Sequence, residues 1–492
     1  MQKNSSIQQE IIPIRSINEQ QANTINQNQE NNENENIETN ENIKPELTNK
    51  IKVVELENET DVQNYCKLLK NGQEQSDSVL LKLNQSINKL NLSKIYSQQC
   101  DQQILSQLKE LNELNLSYNN FKTLPEQLNQ MQYLQILDLS FTNFDNLDNL
   151  STLTNLQKLN ISFSFNINQQ NFIRELASLV NLQQLNVSRN KISRIKSLAS
   201  LVNLQQLDVS GNEISNIESL ASLVNLQQLD VSGNEISNIE SLASLVNLKQ
   251  LNVSENKITN IESLASLVNL QLLNVSYNKI YKIESLASLV EIQQIRLNNN
   301  LFGNEYLFSY RTFAKISYQQ INHLSLCDSK LSNIDFLKYF KNLQTLILDN
   351  NNICDIGVLE HCQKLQSLYL NYNIILEVNS LQRIKLKELQ IKKNFILDFS
   401  PIKNHQNFKK YVTSEQRIPK PKDYQKYNKS KAVKNSFYKQ YSEEKKTLKF
   451  KNKRQTIKDK LQPKILKNLT NINTALALLQ TFLQLENECG NQ

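Results

Sequence analysis

Between residues 87 and 394 of this 492-residue chain, apolar positions recur in one phrase, LxxLxLxxN, followed by apolar residues spaced by threes. In LQQLDVSGN, Leu207 and Val209 alternate with polar residues, the period of a strand with one buried face. Ile214, Ile217, Leu220, Leu223 and Leu226 then follow at intervals of three, which suits a tight return with a short helical turn, supplied by NIESLASL. Each unit therefore predicts one strand and one compact return. With the first leucine of LxxLxL as marker, units start at Ile87, Leu111, Leu134, Leu156, Leu182, Leu204, Leu226, Leu248, Leu270, Ile292, Ile321, Leu343, Leu365 and Leu386, about fourteen in all. The intervals Leu156–Leu182 and Ile292–Ile321 are longer. The second carries FGNEYLFSYRTFAKISYQQ, read as a longer helix on the convex side or, in the other reading, a docking knob.

The unit LASLVNLQQLDVSGNEISNIES stands at Leu198–Ser219 and again, unchanged, at Leu220–Ser241. A fixed period of this length, with a strand on one side and a thin return on the other, makes each unit a wedge. Stacked wedges build a curved solenoid with a concave parallel sheet. At ~4.8 Å between strands, fourteen units predict a sheet roughly 65 Å along its arc. The expected class is α/β, a leucine-rich repeat solenoid. The turn asparagine recurs as Asn119, Asn190, Asn212, Asn234, Asn256, Asn278, Asn300, Asn351, Asn373 and Asn394, with Thr142, Ser164 and Ser329 in its place in three units. An amide can both donate to and accept from buried backbone, so this column reads as a structural ladder, and the hydroxyl units as looser. The N-x-S triplets, such as Asn115-Leu116-Ser117, belong to the same structural consensus.

The phrase LxxLxVSxNxIxxIESLASL resembles the 22-residue leucine-rich repeats typified by the leucine-rich-repeat regulatory subunit of protein phosphatase 1. The resemblance covers about 87–394 and implies a protein-binding scaffold of the kind found among phosphatase regulators, ciliary and dynein-associated proteins, and nuclear export adaptors. That phosphatase subunit binds through acidic and aromatic residues of its concave face, none of which aligns one by one with this chain. The short phosphatase docking motif, a basic residue then Val/Ile-x-Phe, is absent in good form: Lys315–Tyr318 ends in Tyr, and Lys449-Phe450 follows Leu448.

Composition divides the rest. Residues 1–48 are Asn, Gln and Glu with few large apolar groups, and read as disordered. Apolar residues return over 49–86, where DVQNYCKLL reads as a short helix capping the open edge of the first unit. The repeat domain runs 87–400 and a basic tail 401–492. From Lys403 to Lys467 there are 21 Lys+Arg and five acids, a balance of +16, so the remainder carries 7 − 16 = −9. The tail ends in a segment with Ile465, Leu466, Leu469, Ile472, Leu476, Leu479 and Leu483 on one helical stripe, an amphipathic helix expected to pack on the last coil or bind another helix, including by self-association. The six cysteines form no CxxC and no cap of the secreted repeat type, the start lacks an apolar signal core, and no stretch reaches a membrane span. The expectation is a chain of the cytosol or nucleus.

Catalysis finds little support. The three histidines, His323, His361 and His405, form no metal-spaced cluster, and no Gly-rich phosphate loop is present. No enzyme, cofactor or metal is expected. Candidate protein-binding residues lie on the concave face. The position before the turn asparagine gives Tyr118, Phe141 and Phe163 in successive units, then Tyr277. The position between buried strand residues gives Asp208, Asp230 and Arg296. A second patch near the end combines Asp349, Tyr369, Tyr372, Lys392 and Lys393. The expected partner is a protein, with a phosphatase catalytic subunit as one alternative and nucleic acid, met by the basic tail, as the lesser one. The identical central copies present small residues, so specificity is expected at the ends.

Overall fold

The structure is a computed structural model that describes residues 52–413 except 57–58, 71–78, 84–86, 96–103, 121, 165–168, 302–319, 397 and 404–409. The expected disordered segment 1–48, the insertion 302–319 and the tail beyond 413, with its amphipathic stripe, lie outside the described residues.

Fifteen three-residue strands, from Lys89–Asn91 to Lys410–Val412, form one open sheet in which every strand lies between its sequence neighbours. All pairings are parallel and in strict register, so Leu207, Leu229, Leu251, Leu273 and Ile295 stand side by side. That alignment follows from the alternation: the middle residue of each strand is buried and its flanks face out of the sheet. The chain is a leucine-rich repeat solenoid. Its fifteenth strand, Lys410–Val412, pairs with Glu388–Gln390 although its sequence carries no LxxLxL marker, so the sheet runs one strand past the fourteenth unit.

The returns are short 3-10 helices, as the spacing by threes requires. In the copies they span Glu218–Ser222, Glu240–Ser244 and Glu262–Ser266. Side chains stitch neighbouring returns together: Ser222 Oγ donates to the Ala199 carbonyl at 3.0 Å, and Asn225 Nδ2 to the Val202 carbonyl at 2.9 Å. Between sheet and returns lies one continuous core of Leu, Ile and Val. The long interval Leu156–Leu182 holds helix α2, Gln169–Leu176, which buries Phe172, Ile173 and Leu176.

The turn asparagines form the ladder their column predicts. Asn212 Nδ2 donates to the carbonyls of Val187, Val209 and Ser210, and its Oδ1 accepts from the backbone N–H of Asn190 and Ile192, both at 2.9 Å. One side chain thus satisfies buried backbone of two coils. The hydroxyl substitutes do less. Thr142 Oγ1 donates to the Leu139 carbonyl and meets Ser164 Oγ at 3.1 Å, while Ser329 Oγ reaches the Cys327 carbonyl at 2.9 Å. The N-x-S triplets close local turns, as where Asn115 Oδ1 accepts from the Ser117 N–H at 2.9 Å.

At the first edge, helix α1 (Glu59–Lys70) lies against strand Lys89–Asn91 and buries Val62, Tyr65 and Cys66 in the core. Glu59 accepts the Asn91 backbone N–H at 2.9 Å, and Lys70 Nζ donates to the Lys94 carbonyl. These bonds occupy backbone groups that an open first strand would leave to water or to another chain. A separate two-stranded sheet joins Lys52–Leu56 to Val79–Leu83.

Candidate protein-binding surface

The residue before each turn asparagine sits where the chain leaves the sheet, and in coil after coil its backbone is left-handed. Lys94, Tyr118, Phe141, Phe163, Arg189, Gly211, Gly233, Glu255, Tyr277, Asn299, Asp328, Asn350, Tyr372 and Lys393 all have φ between 46° and 64°. Glycine adopts this conformation freely, whereas other residues are strained there by ~1–3 kcal/mol. Twelve coils nonetheless carry a side chain at this position, so the column projects a varied row of groups from a fixed frame.

The first five members of the row form one stack. Tyr118 and Phe141 lie with ring centroids 4.3 Å apart and planes 7° from parallel, and Phe141 and Phe163 4.4 Å apart at 12°. Strand spacing imposes this face-to-face arrangement, which an isolated aromatic pair would not prefer. Cations close both ends: Lys94 Nζ lies 5.3 Å from the Tyr118 centroid and Arg189 Cζ 5.1 Å from that of Phe163. The sequence puts the three rings on adjacent coils, but the cationic caps go unread there. Lys94 belongs to a first unit with Ile95 at the asparagine position, and Arg189 reads as one more variable residue of the column. With ring faces covered, the stack offers ring edges and two cations, and Tyr118 keeps 43% of its surface exposed.

Past Arg189 the row drops to bare backbone at Gly211 and Gly233. A Cβ at Gly211 would come within 2.8 Å of Arg189 Cγ, so this glycine makes room for the arginine that caps Phe163. Asp208 and Asp230 stand beside the glycines on neighbouring strands. The sequence assigns them outward binding roles. They flank buried leucines and face out of the sheet, yet Asp230 is only 6% exposed. Their oxygens are turned inward to local donors: Asp208 Oδ1 accepts the Ser210 N–H at 2.9 Å, and Asp230 accepts from the Ser232 N–H, Ser232 Oγ and Asn252 Nδ2. Burial pushes both carboxyls up; Asp208, with Asp230 adding repulsion, reaches about 6.

Further along, Arg296 and His323 lie on paired strands. Burial lowers the Arg296 guanidinium, and burial with the nearby Arg296 charge brings His323 down to about 4. His323 Nε2 is buried without a hydrogen-bond partner among the described residues. The sequence sets this histidine aside for want of a metal-spaced neighbour, and its place beside Arg296 emerges only from the pairing. Tyr277 is 47% exposed, its hydroxyl raised by partial burial and then by Asp328.

Asp349, Tyr369, Tyr372, Lys392 and Lys393 come together on three successive coils, strands Thr345–Ile347, Ser367–Tyr369 and Glu388–Gln390. Asp349 accepts the Asn371 N–H at 2.7 Å and its Nδ2 at 3.1 Å. Tyr369 donates to Glu388 at 2.7 Å, and burial together with that bond lifts its hydroxyl to about 12. Tyr372, 49% exposed, and Lys393 continue the left-handed row. Among the described residues, no group of three or more His, Cys, Asp or Glu is placed to hold a metal, and no helix is long and apolar enough to cross a membrane.

Residues 74–327, 254 of the 492, match the family described as a leucine-rich repeat region. The chain belongs to the leucine-rich repeat family. A search of curated protein sequences gave no significant match. Among solved structures, this leucine-rich repeat protein is similar to one from Leptospira interrogans, with 24% identity over 70% of this chain and 88% of that one and a TM-score of 0.58. It is also similar to an internalin of Listeria monocytogenes, with 24% identity over 68% of this chain and 88% of that one and a TM-score of 0.52. The functional domain of InlJ from Listeria monocytogenes is a third, with 20% identity, 71% and 78% coverage and a TM-score of 0.54. At these identities the likeness is one of fold.

Proposed function

We propose that this chain is a non-catalytic protein-binding scaffold whose partner lies along the strand-exit row and the adjoining sheet face. The observation that carries the reading is the row itself. Twelve of its fourteen positions hold side chains in a conformation that favours glycine, and only Gly211 and Gly233 leave it bare. One end is a cation-capped aromatic stack; the other combines exposed Tyr372 with Lys392 and Lys393. Aromatic and basic groups on a rigid frame are what a protein surface needs for anchoring at low entropic cost. The narrower reading, a regulatory subunit of protein phosphatase 1, is put to the same experiment; the other, a nucleic-acid-associated protein acting through residues 401–492, predicts that a deletion ending near Pro401 loses salt-sensitive polyanion binding.

Full chain and a Tyr118→Ala/Phe141→Ala/Phe163→Ala variant serve as bait in parallel captures, with bound proteins identified by mass spectrometry. A partner present with the parent and lost with the variant supports the reading and names its class. An unchanged set with the folded variant removes the stack from the binding surface.

A further inference from the structure

The turns that enter the strands carry a second column, at the opposite end of each strand from the aromatic row. Val180, Val202, Val224, Val246, Val268 and Val290 occupy the same place in six consecutive coils, each 42–48% exposed. They make an apolar ridge of five coil spacings, about 24 Å. The ridge is held in register: Asn203, Asn225, Asn247 and Asn269 each donate to the carbonyl of the valine one coil back at 2.9 Å. The coils of Val180, Val202, Val224 and Val246 also line a groove of about 710 Å³ that runs from Gln132 to Lys249 and is walled mostly by amides, among them Asn181, Asn203 and Asn225 with Gln183, Gln205 and Gln227. Lys249 is its one charged lining residue among those described. An aligned apolar ridge bordered by an amide-rich groove is unlike scattered surface valines, which need no explanation.

The chain's own terminus carries a sequence of matching length and character. Ile465, Leu469, Ile472, Leu476, Leu479 and Leu483 recur at helical spacing across 19 positions, which as a helix span about 27 Å. One helical turn advances about 5.4 Å and one coil about 4.8 Å, so one leucine or isoleucine per turn meets one valine per coil, with a drift of about 3 Å over the ridge. Residues 468–485 contain no charged side chain, although in a chain that is 21% charged 18 residues would carry about four. Asn, Thr and Gln fill the polar positions, matching the amide groove. The described chain stops at Thr413 beside the last strand, five strand spacings from the coil of Val290, about 24 Å away. The 51 residues from 414 to 464 can span at most about 170 Å, so the tether is long enough.

We propose that residues 465–483 dock as a helix along the Val180–Val290 ridge of the same chain, forming an intramolecular strap across the repeat. The strap leaves the aromatic row open. It is independent of the proposed binding surface, since the two occupy opposite ends of the strands.

Hydrogen exchange on the full chain tests it, comparing the parent with Val224→Asp/Val246→Asp and with Leu476→Asp/Leu479→Asp at two protein concentrations. The expected result is slow exchange over 465–483 in the parent, sped at least tenfold by either variant and independent of concentration. Amides of the strand centres Leu229 and Leu251 should keep their parent rates, which shows that the exposed valine changes leave the coils folded. Rapid exchange of the segment in the parent overturns the proposal, as does protection that survives Val224→Asp/Val246→Asp. Protection that grows with concentration alongside a doubled mass overturns the intramolecular strap and assigns the ridge to a second copy.

Discussion

Replacing Asp208 with Asn should stabilise the solenoid at neutral pH. The hydrogen bond at stake survives the change, because Asn already fills this strand position elsewhere. Asn186 and Asn274 accept the N–H two residues on, from Ser188 and Ser276, as Asp208 does from Ser210. What disappears is a half-buried charge beside a second carboxylate. A carboxyl moved from its ordinary 3.8 to about 6 resists ionisation by an amount worth up to about 3 kcal/mol. The sign follows from proton binding. The folded chain holds this proton more tightly than the unfolded one, so the associated stability is full below about pH 4 and is lost as pH rises through about 6. Asp208→Asn should therefore gain about 1–3 kcal/mol at pH 7.5, and roughly a third of that at pH 4.5, where most of the native Asp208 is already neutral. Urea unfolding at the two pH values measures both numbers. A variant no more stable than the parent at pH 7.5, or one with the same gain at both values, would refute the reasoning.

Other substitutions probe the row and the ladder. Phe141→Ala removes two ring contacts and should cost about 1–3 kcal/mol. Phe141→Gly should be about 1 kcal/mol less damaging than Ala because φ is 54°, and urea midpoints in the opposite order would contradict the backbone argument. Asn212→Ala strands the buried N–H groups of Asn190 and Ile192, for a loss of about 2–5 kcal/mol. Because coils contact only their neighbours, exchange should quicken around coils 190 and 212 and not at Leu368; uniform acceleration would mean the ladder is not local.

Register, core and ladder are legible in the sequence because each rests on a period: leucines at three and two, returns by threes, one amide per turn. The aromatic column is legible as adjacency, since equal spacing puts Tyr118, Phe141 and Phe163 on neighbouring strands. Its left-handed backbone is signalled only by Gly211 and Gly233 sharing the column with aromatic and charged residues. The cationic caps require knowing how the long side chains of Lys94 and Arg189 fold back over rings. Asp208 and Asp230 show the limit of alternation: it says which face a residue takes, not that Ser232 and Asn252 close around Asp230. The last strand, Lys410–Val412, follows from pairing with an open edge rather than from any repeat motif. The valine ridge is plain as a column of identical residues, but its exposure depends on where the entering turn lies.

The central claim is that a protein partner contacts the strand-exit row. Site-specific photo-crosslinking with the captured partner measures this most directly, with the crosslinker placed at exposed Tyr118, at Tyr372, and at Asn216 on the return. The account predicts adducts from Tyr118 or Tyr372 and none from Asn216. Adducts from Asn216 with none from the row would contradict it.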